Sequence, residues 1–408
     1  MITHRLALIA GVATALAVVP AAASAGAGQG RYTTIDVPGA TATFAATVND
    51  AGVVVGFYTD SHGTTRGFVN RRGVFTMVND PHAGTAAGQG TFLDFINDQG
   101  VMVGYYVTKS GTFHGFIDRG GVLTTVNDPH AGTAEFQGTI LSGINNSGVI
   151  AGDYIDARYV SHGFIDRRLA FTTVNHSHAG TAEGQGTGLG SINDHGVVSG
   201  TYFNSRGRPI SFAGRPGAFT TVNDPHAGTA PGQGTVPAGI TNSGVIAGSY
   251  IDAGNVSHGF IDRGGVFTTV DHPHAGTAAF QGTFLGSIND LGAVSGTYIN
   301  SRGKAVSFAG RPGAFTTVTD PAAVPFSTFA GAINDSGVIV GGYNVFTHRV
   351  PHGFIDLSGV FTTLSDPNAG TASGQGTAAQ GISNTGVIVG TYVDSSGGQH
   401  GFELSPSR

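Results

Sequence analysis

The sequence predicts an all-β protein: an eight-bladed β-propeller of four-stranded blades, its ring closed by an N-terminal strand that completes the last blade. Three observations predict it. A motif built on Ile-Asn-Asp-x-Gly recurs eight times. Between copies the chain reads as four short strands separated by turn residues. A strand that the eighth unit lacks at its end stands at the beginning instead.

The copies start at Val48, Ile96, Ile144, Ile192, Ile240, Ile288, Ile333 and Ile382. The step is 48 residues until Asn289, then 45, then 49. Four strands in that length match a propeller blade, whose period is about 40–50 residues. An open β-solenoid of the same units is the alternative, but it would have no use for a displaced strand.

In chain order, Met1–Ala25 comes first. A positive start, the apolar run Leu6–Val19 and the small-residue end Ala23-Ser24-Ala25 read as a secretory signal. Residues 26–408 then form one propeller domain of eight repeats, expected to be secreted, extracellular or periplasmic, with no membrane span. "RYTTIDVPGA" at Arg31–Ala40 matches the end of a unit, "VFTTVNDPHAG", and the chain closes on "HGFELSPSR". The N-terminal segment therefore supplies the last unit's fourth strand, which removes a sheet edge open to pairing.

Within a unit, strand A is "TILSGIN"-like. Asn-Asp-x-Gly makes a hairpin turn, with Gly in the left-handed position. Strand B ends in Tyr in every unit, from Tyr58 to Tyr392, and strand C carries Phe in every unit, from Phe68 to Phe402. Residues shared by all units mark packing between blades rather than one special site, with each Tyr hydroxyl needing a polar partner. Strand D is "FTTVN", and a long loop, "DPHAGTAEFQGT", leads to the next strand A. Units three and five share one pattern and units four and six another, so a pair of units was duplicated as a block.

Composition excludes several classes. Only 11% of residues are charged and 40% are hydrophobic, which argues against disorder. No Cys is present, so packing must supply the stability that disulfides give small secreted domains. Without the leader and its Arg5, 18 basic face 25 acidic residues, with no basic stripe for nucleic acid.

Of the sixteen histidines, only His4 of the leader and His195 of a turn fall outside the face made by the D-to-A and B-to-C loops. That long-loop face is where function is expected. Antiparallel pairing of C and D should bring His114 toward Asp128 and His130, and His162 toward His176 and His178. It should also bring His258 toward Asp271, His272 and His274, and His400 toward Asp36. Arg66 takes the "HGF" place in unit one, with Asp80 as its expected partner. Ser211 and Ser307 replace the "HGF" histidine in units four and six, and Ala322 and Asn368 replace the loop histidine in two units. The plain reading is a structural tie between imidazole and carboxylate. The sharper reading is a divalent-metal site among His258, Asp271, His272, His274, His162, His176 and His178, or a pH switch near pH 6.

Enzymatic motifs are sparse. Glu occurs only at Glu135, Glu183 and Glu403, which leaves little for a glycosidase acid/base pair. "AGQGT" lacks the Lys and the helix of a phosphate loop. The outlying unit seven offers His348, Arg349 and His352 as candidate ligand-binding residues. No cofactor is implied beyond that metal.

The "INxxG" segments paired with "HGF" resemble the HAF-repeat family of bacterial extracellular proteins, with Gly in place of the family's Ala. The resemblance spans nearly all of residues 26–408 and implies repeat architecture and export; it brings no activity and no site residues. The expected function is a non-enzymatic binding or structural module, monomeric, acting through its His-rich long-loop face on an unknown ligand, a glycan or a protein. The alternative is a hydrolase or lyase acting on polysaccharide, assisted by a metal.

Overall fold

A computed structural model of the protein describes residues 30–318, 329–344, 350–357 and 359–406, and all regular structure among them is β. Unit two shows the pattern. Strands A (Gly90–Ile96), B (Val101–Val107), C (Phe113–Arg119) and D (Val122–Val126) pair antiparallel in chain order.

The turns follow from the residues written there. Asn97 Oδ1 accepts from Val101 N at 2.9 Å and closes the A–B hairpin, while Gly100 holds φ +76°. Gly120 and Gly121, at φ +64° and +90°, make a C–D hairpin turn in which both central residues are left-handed. A bulge in strand A recurs from unit to unit, between Leu93 and Phe95 in unit two. Gly90 pairs in parallel with Thr65 of the preceding strand C, and any Cβ there would run into the Thr65 carbonyl. This explains the Gly of every "QGT".

The core lies between units, not within them. Val55, Val69 and Val78 of unit one pack on Leu93, Met102, Tyr106 and Phe116 of unit two, and the pattern repeats. All eight strand-C Phe side chains are fully buried. Each contributes about 1.5–3 kcal/mol relative to an exposed ring. Strand-B Tyr hydroxyls meet strand-D threonines in several units, as Tyr343 does with Thr363 at 2.8 Å and Tyr392 with Thr34 at 3.3 Å, whereas unit one carries Met77 at that place. The repeated "TTV" is the other half of the repeated Tyr.

In the eighth unit, Gly376–Ile382, Ile388–Val393 and Gln399–Ser405 supply strands A to C. The expected partner is in place. Arg31–Ile35 pairs antiparallel with the last strand, Tyr32 opposite Leu404 and Ile35 opposite Gly401, and Ile35 is fully buried. Each strand A lies beside the strand A of the next unit, and that of unit eight lies beside that of unit one. Four-stranded sheets packed face to face around their inner strands are the architecture of a β-propeller. Among the described residues, no helix is long and apolar enough to cross a membrane.

Candidate functional site

The "NDPHAGTA" loop is built to be rigid. Asp80 N donates to Thr91 Oγ1 of the next strand A, and Asp80 Oδ1 accepts from His82 N at 2.9 Å and contacts His82 Nδ1 at 3.0 Å. Asp128 with His130 and Asp224 with His226 repeat this geometry at the same 3.0 Å. Gln89 closes the loop, accepting from Ala86 N and donating to Lys109 O of the next unit. The carboxylate is buried while the imidazole stands outside: the His82, His130 and His226 side chains are 73%, 71% and 72% exposed. A loop histidine therefore pairs with the aspartate of its own loop, which corrects the expected pairing of Asp128 with His114.

The strand-C histidine has a different environment. His114 stacks on Tyr106 at 5.0 Å and its Nδ1 meets the Asn127 amide at 2.6 Å. Burial lowers its pKa, and the Asn127 contact and the Asp80 charge act against that. Asp80 belongs to the preceding unit's loop, so the carboxylate of one unit serves the imidazole of the next. His162 stacks on Tyr154 at 4.7 Å, between Asn175 at 3.1 Å and Asp156 at 3.2 Å. His258 meets Asp271 at 2.7 Å, as expected, and stacks on Tyr250. His352 stacks on Tyr343 and contacts Ser365 at 2.9 Å. His348 and Arg349 lie outside the described residues. His400 reaches Asp36 at 2.8 Å, as expected, and Asp394 at 3.2 Å. Burial pulls its pKa down, but the two carboxylates outweigh it and hold the pKa above the ordinary value.

Two further expectations need correction. Arg66 pairs with Asp60 at 2.9 Å, not with Asp80, because the B–C loop carboxylate lies beside the start of strand C. Ser211 and Ser307 do not replace the histidine. Register places Ile210 opposite Tyr202 and Val306 opposite Tyr298, where other units place His, so the serines occupy the Gly position of "HGF". That Gly is needed where the next strand A presents Leu: a Cβ on Gly115 would crowd Leu141. The next units present Pro237 and Ala330 there instead.

In units four and six the vacated stack is filled from outside. His176 lies flat on Tyr202 and His272 on Tyr298, both at 3.9 Å and within 6° of parallel. Each stands in the loop position that is Asp in "NDPH", and its Nδ1 accepts the N–H of His178 or His274 as the carboxylate does elsewhere. Burial, with the neighbouring His274 second, lowers the His272 pKa to about 4. The seven candidate metal ligands thus split. His162 and His258 belong to the stacks of units three and five, whereas His176, His178, His272 and His274 belong to those of units four and six. His258 and Asp271 are brought together; among the described residues, no group of three or more His, Asp or Glu converges to hold a metal ion.

On the opposite face, the A–B turns form a second polar system that the sequence reading treated only as hairpins. Asn49 Nδ2 donates to Asn97 O, Asn97 to Asn145 O and Asn145 to Asn193 O, at 2.9–3.0 Å. The following residues repeat this outside: Asp50 N donates to Asp98 Oδ1, Asp98 N to Asn146 Oδ1, and so on to Asn384 N, which donates to Asp50 Oδ1 at 2.7 Å. A cavity of about 360 Å³ opens among these turns. Nearby on an inner strand, Asp94 has no counterpart in other units, which carry Ala46, Ser142, Gly190, Ala238, Gly286, Gly331 and Gln380 there. Burial raises its pKa to about 7. The break in the repeat at Asp94 was readable in the sequence.

No protein family and no curated protein matches the sequence. Among solved structures, one described as an analysis of two prolyl endopeptidases superposes with a TM-score of 0.53 at 9% identity, over 90% of this chain and 55% of that one. This is a likeness of fold, and the chain spans about half the length of that protein. A mutant of the Aleuria aurantia lectin in complex with alpha-methyl-L-fucoside is also similar, at 14% identity over 74% of this chain and 100% of that one, with a TM-score of 0.35. The same lectin, described as having a six-bladed beta-propeller fold, gives 0.33. Superposition that weak carries no statement about ligand or activity.

Proposed function

We propose that the chain is a non-enzymatic binding module that recognises a glycan or protein ligand on its long-loop face. It is an eight-bladed β-propeller closed into a ring by its N-terminal strand, exported through residues 1–25, and a HAF-repeat protein of the bacterial exterior. Pairing of Arg31–Ile35 with Gly401–Ser405 supports closure, as does the bond from Asn384 back to Asp50.

One observation carries the binding reading. His82, His130 and His226 are presented outward on one face, each oriented by a buried Asp through the same two contacts. Groups that served packing alone would have no reason to stand in water at 71–73% exposure. Identical groups held rigidly at several places on a ring suit a repetitive ligand, because linked contacts raise avidity by a factor of ~10²–10⁴.

A glycan and protein array probed with the purified protein tests this. Binding to at least one repetitive ligand is expected, with a loss of ~100-fold in avidity when His82, His130 and His226 are all changed to Ala. Undiminished binding by that folded variant would remove the imidazoles from the reading.

A further inference from the structure

The strand-C basic group normally closes the space between its own strand and the start of the following loop. It does so through the residue thirteen positions on: His114 meets Asn127, His162 meets Asn175, His258 meets Asp271, His352 meets Ser365, and His400 meets Asp36 across the chain ends. Unit four lacks the histidine, yet Arg208 reaches Asn223 at 3.1 Å. Unit one differs. Arg66 turns the other way to Asp60 and makes no such contact with Asn79, the residue thirteen on; the Asn79 Oδ1 is buried without a partner, as that of Asn127 is in unit two, but here it stands beside open space. A cavity of about 230 Å³ opens where the tie would be, lined by Arg66, Asn79, Asp80, Pro81, Ala83 and Thr85 among others.

We propose that this cavity is a binding pocket for a single neutral sugar residue. The proposal deepens the binding reading above and rests on it. A buried amide oxygen without a partner calls for a donor, since leaving it dry is costly. The Arg66 guanidinium offers donors at the rim, and the Asp80 carboxylate adds an acceptor. Pro81, Ala83 and the threonine methyls give the ligand an apolar wall. A compact ring that both donates and accepts, with a C–H face, satisfies these together. An anion would face the carboxylates of Asp60 and Asp80, and an apolar ligand would leave Asn79 unsatisfied. The volume equals that of roughly seven or eight molecules of liquid water, which suits one sugar ring and not two.

The pocket also makes sense of a departure from the repeat. Histidine at position 66 would restore the tie found in units two, three, five, seven and eight and fill the space. Arginine has the reach to engage Asp60 instead and leaves the pocket open.

Saturation-transfer NMR and calorimetric titration of the full chain test the proposal, with methyl glycosides of neutral hexoses, deoxyhexoses and hexuronic acids as probes. At least one neutral glycoside should bind. Arg66→His and Asn79→Ala should each weaken it at least tenfold while the melting temperature stays within a few degrees of the parent. If Arg66→His fails to fold, Asn79→Ala decides. No binding by any probe, binding of the uronic acids alone, or undiminished binding by Asn79→Ala overturns the pocket. The His82, His130 and His226 triple variant should retain monosaccharide binding. Loss of array avidity in that variant without loss of monosaccharide binding keeps the two readings apart.

Discussion

At the scale of single residues, this protein uses one chemical type in opposite ways. His82 hangs in solvent on a buried carboxylate, and His400 sits between two carboxylates with a raised pKa. His272 is 4% exposed, flat on Tyr298, beside Phe308 and Phe315, with His274 next to it. It must be neutral, because its Nδ1 accepts a backbone N–H. With a folded pKa of about 4 against an ordinary 6.5, the folded state takes up fewer protons than the unfolded state between those values. Its stability is therefore whole above pH 6.5 and declines as pH falls toward 4. Stability measured by denaturant should drop between pH 7 and pH 4.5 by up to about 3 kcal/mol more in the parent than in His272→Gln. Equal pH slopes would show that the ring is not enclosed as described.

At the scale of the blade, two solutions to one contact alternate. Where strand C offers a histidine to the Tyr, the preceding loop offers Asp, as Asp80 does to Tyr106 and His114. Where strand C offers Ile210 or Val306, the loop offers His176 or His272. A buried carboxylate is tolerated only beside a group that can carry charge or donate to it, and an apolar partner calls for a neutral ring. Units four and six should therefore convert only if both positions change together. His176→Asp alone should destabilise by about 1–3 kcal/mol, and Ile210→His alone by a similar amount. The double variant should recover part of the loss, with a coupling of about 0.5–3 kcal/mol in a double-mutant cycle. Additive losses would mean that the alternation has no energetic basis.

This alternation marks the limit of what could be read in the sequence. The repeat, the strand boundaries, the Tyr and Phe positions and the His400–Asp36 contact were legible, because each follows from period and antiparallel pairing. The partners of Arg66, His114 and His176 were not. Strand order places two loops on one face but does not say whether a side chain turns toward its own blade or the next. The offset of Ser211 from the histidine position was readable by counting back from Phe212, and the register decides it.

For the whole molecule, stability is shared between neighbours, and the junction of the chain ends is one interface among equals. Tyr32 packs on Phe402 at 5.7 Å, and Ile35 is buried with Val389 and Phe68. A chain beginning at Val37 should lose that burial and expose an unpaired edge along Gln399–Ser405. It should unfold about 3 kcal/mol or more below the parent and self-associate, and a peptide spanning 30–40 added in trans should restore part of its melting temperature. A truncated chain that melts like the parent would show that Arg31–Ile35 does not hold the sheet together.

By itself, the sequence determined the repeat, the strands within it and the displaced fourth strand. These are local matters, set by the 48-residue period, by turn residues that only a few conformations accept, and by the alternation of apolar side chains. The tertiary structure alone decided which polar groups meet. The core lies between blades, so every imidazole, carboxylate and amide on the loop face chooses among partners from two units. That choice depends on the reach and burial of side chains and not on their order along the chain. The open space beside Asn79 arises from one such choice, made by Arg66.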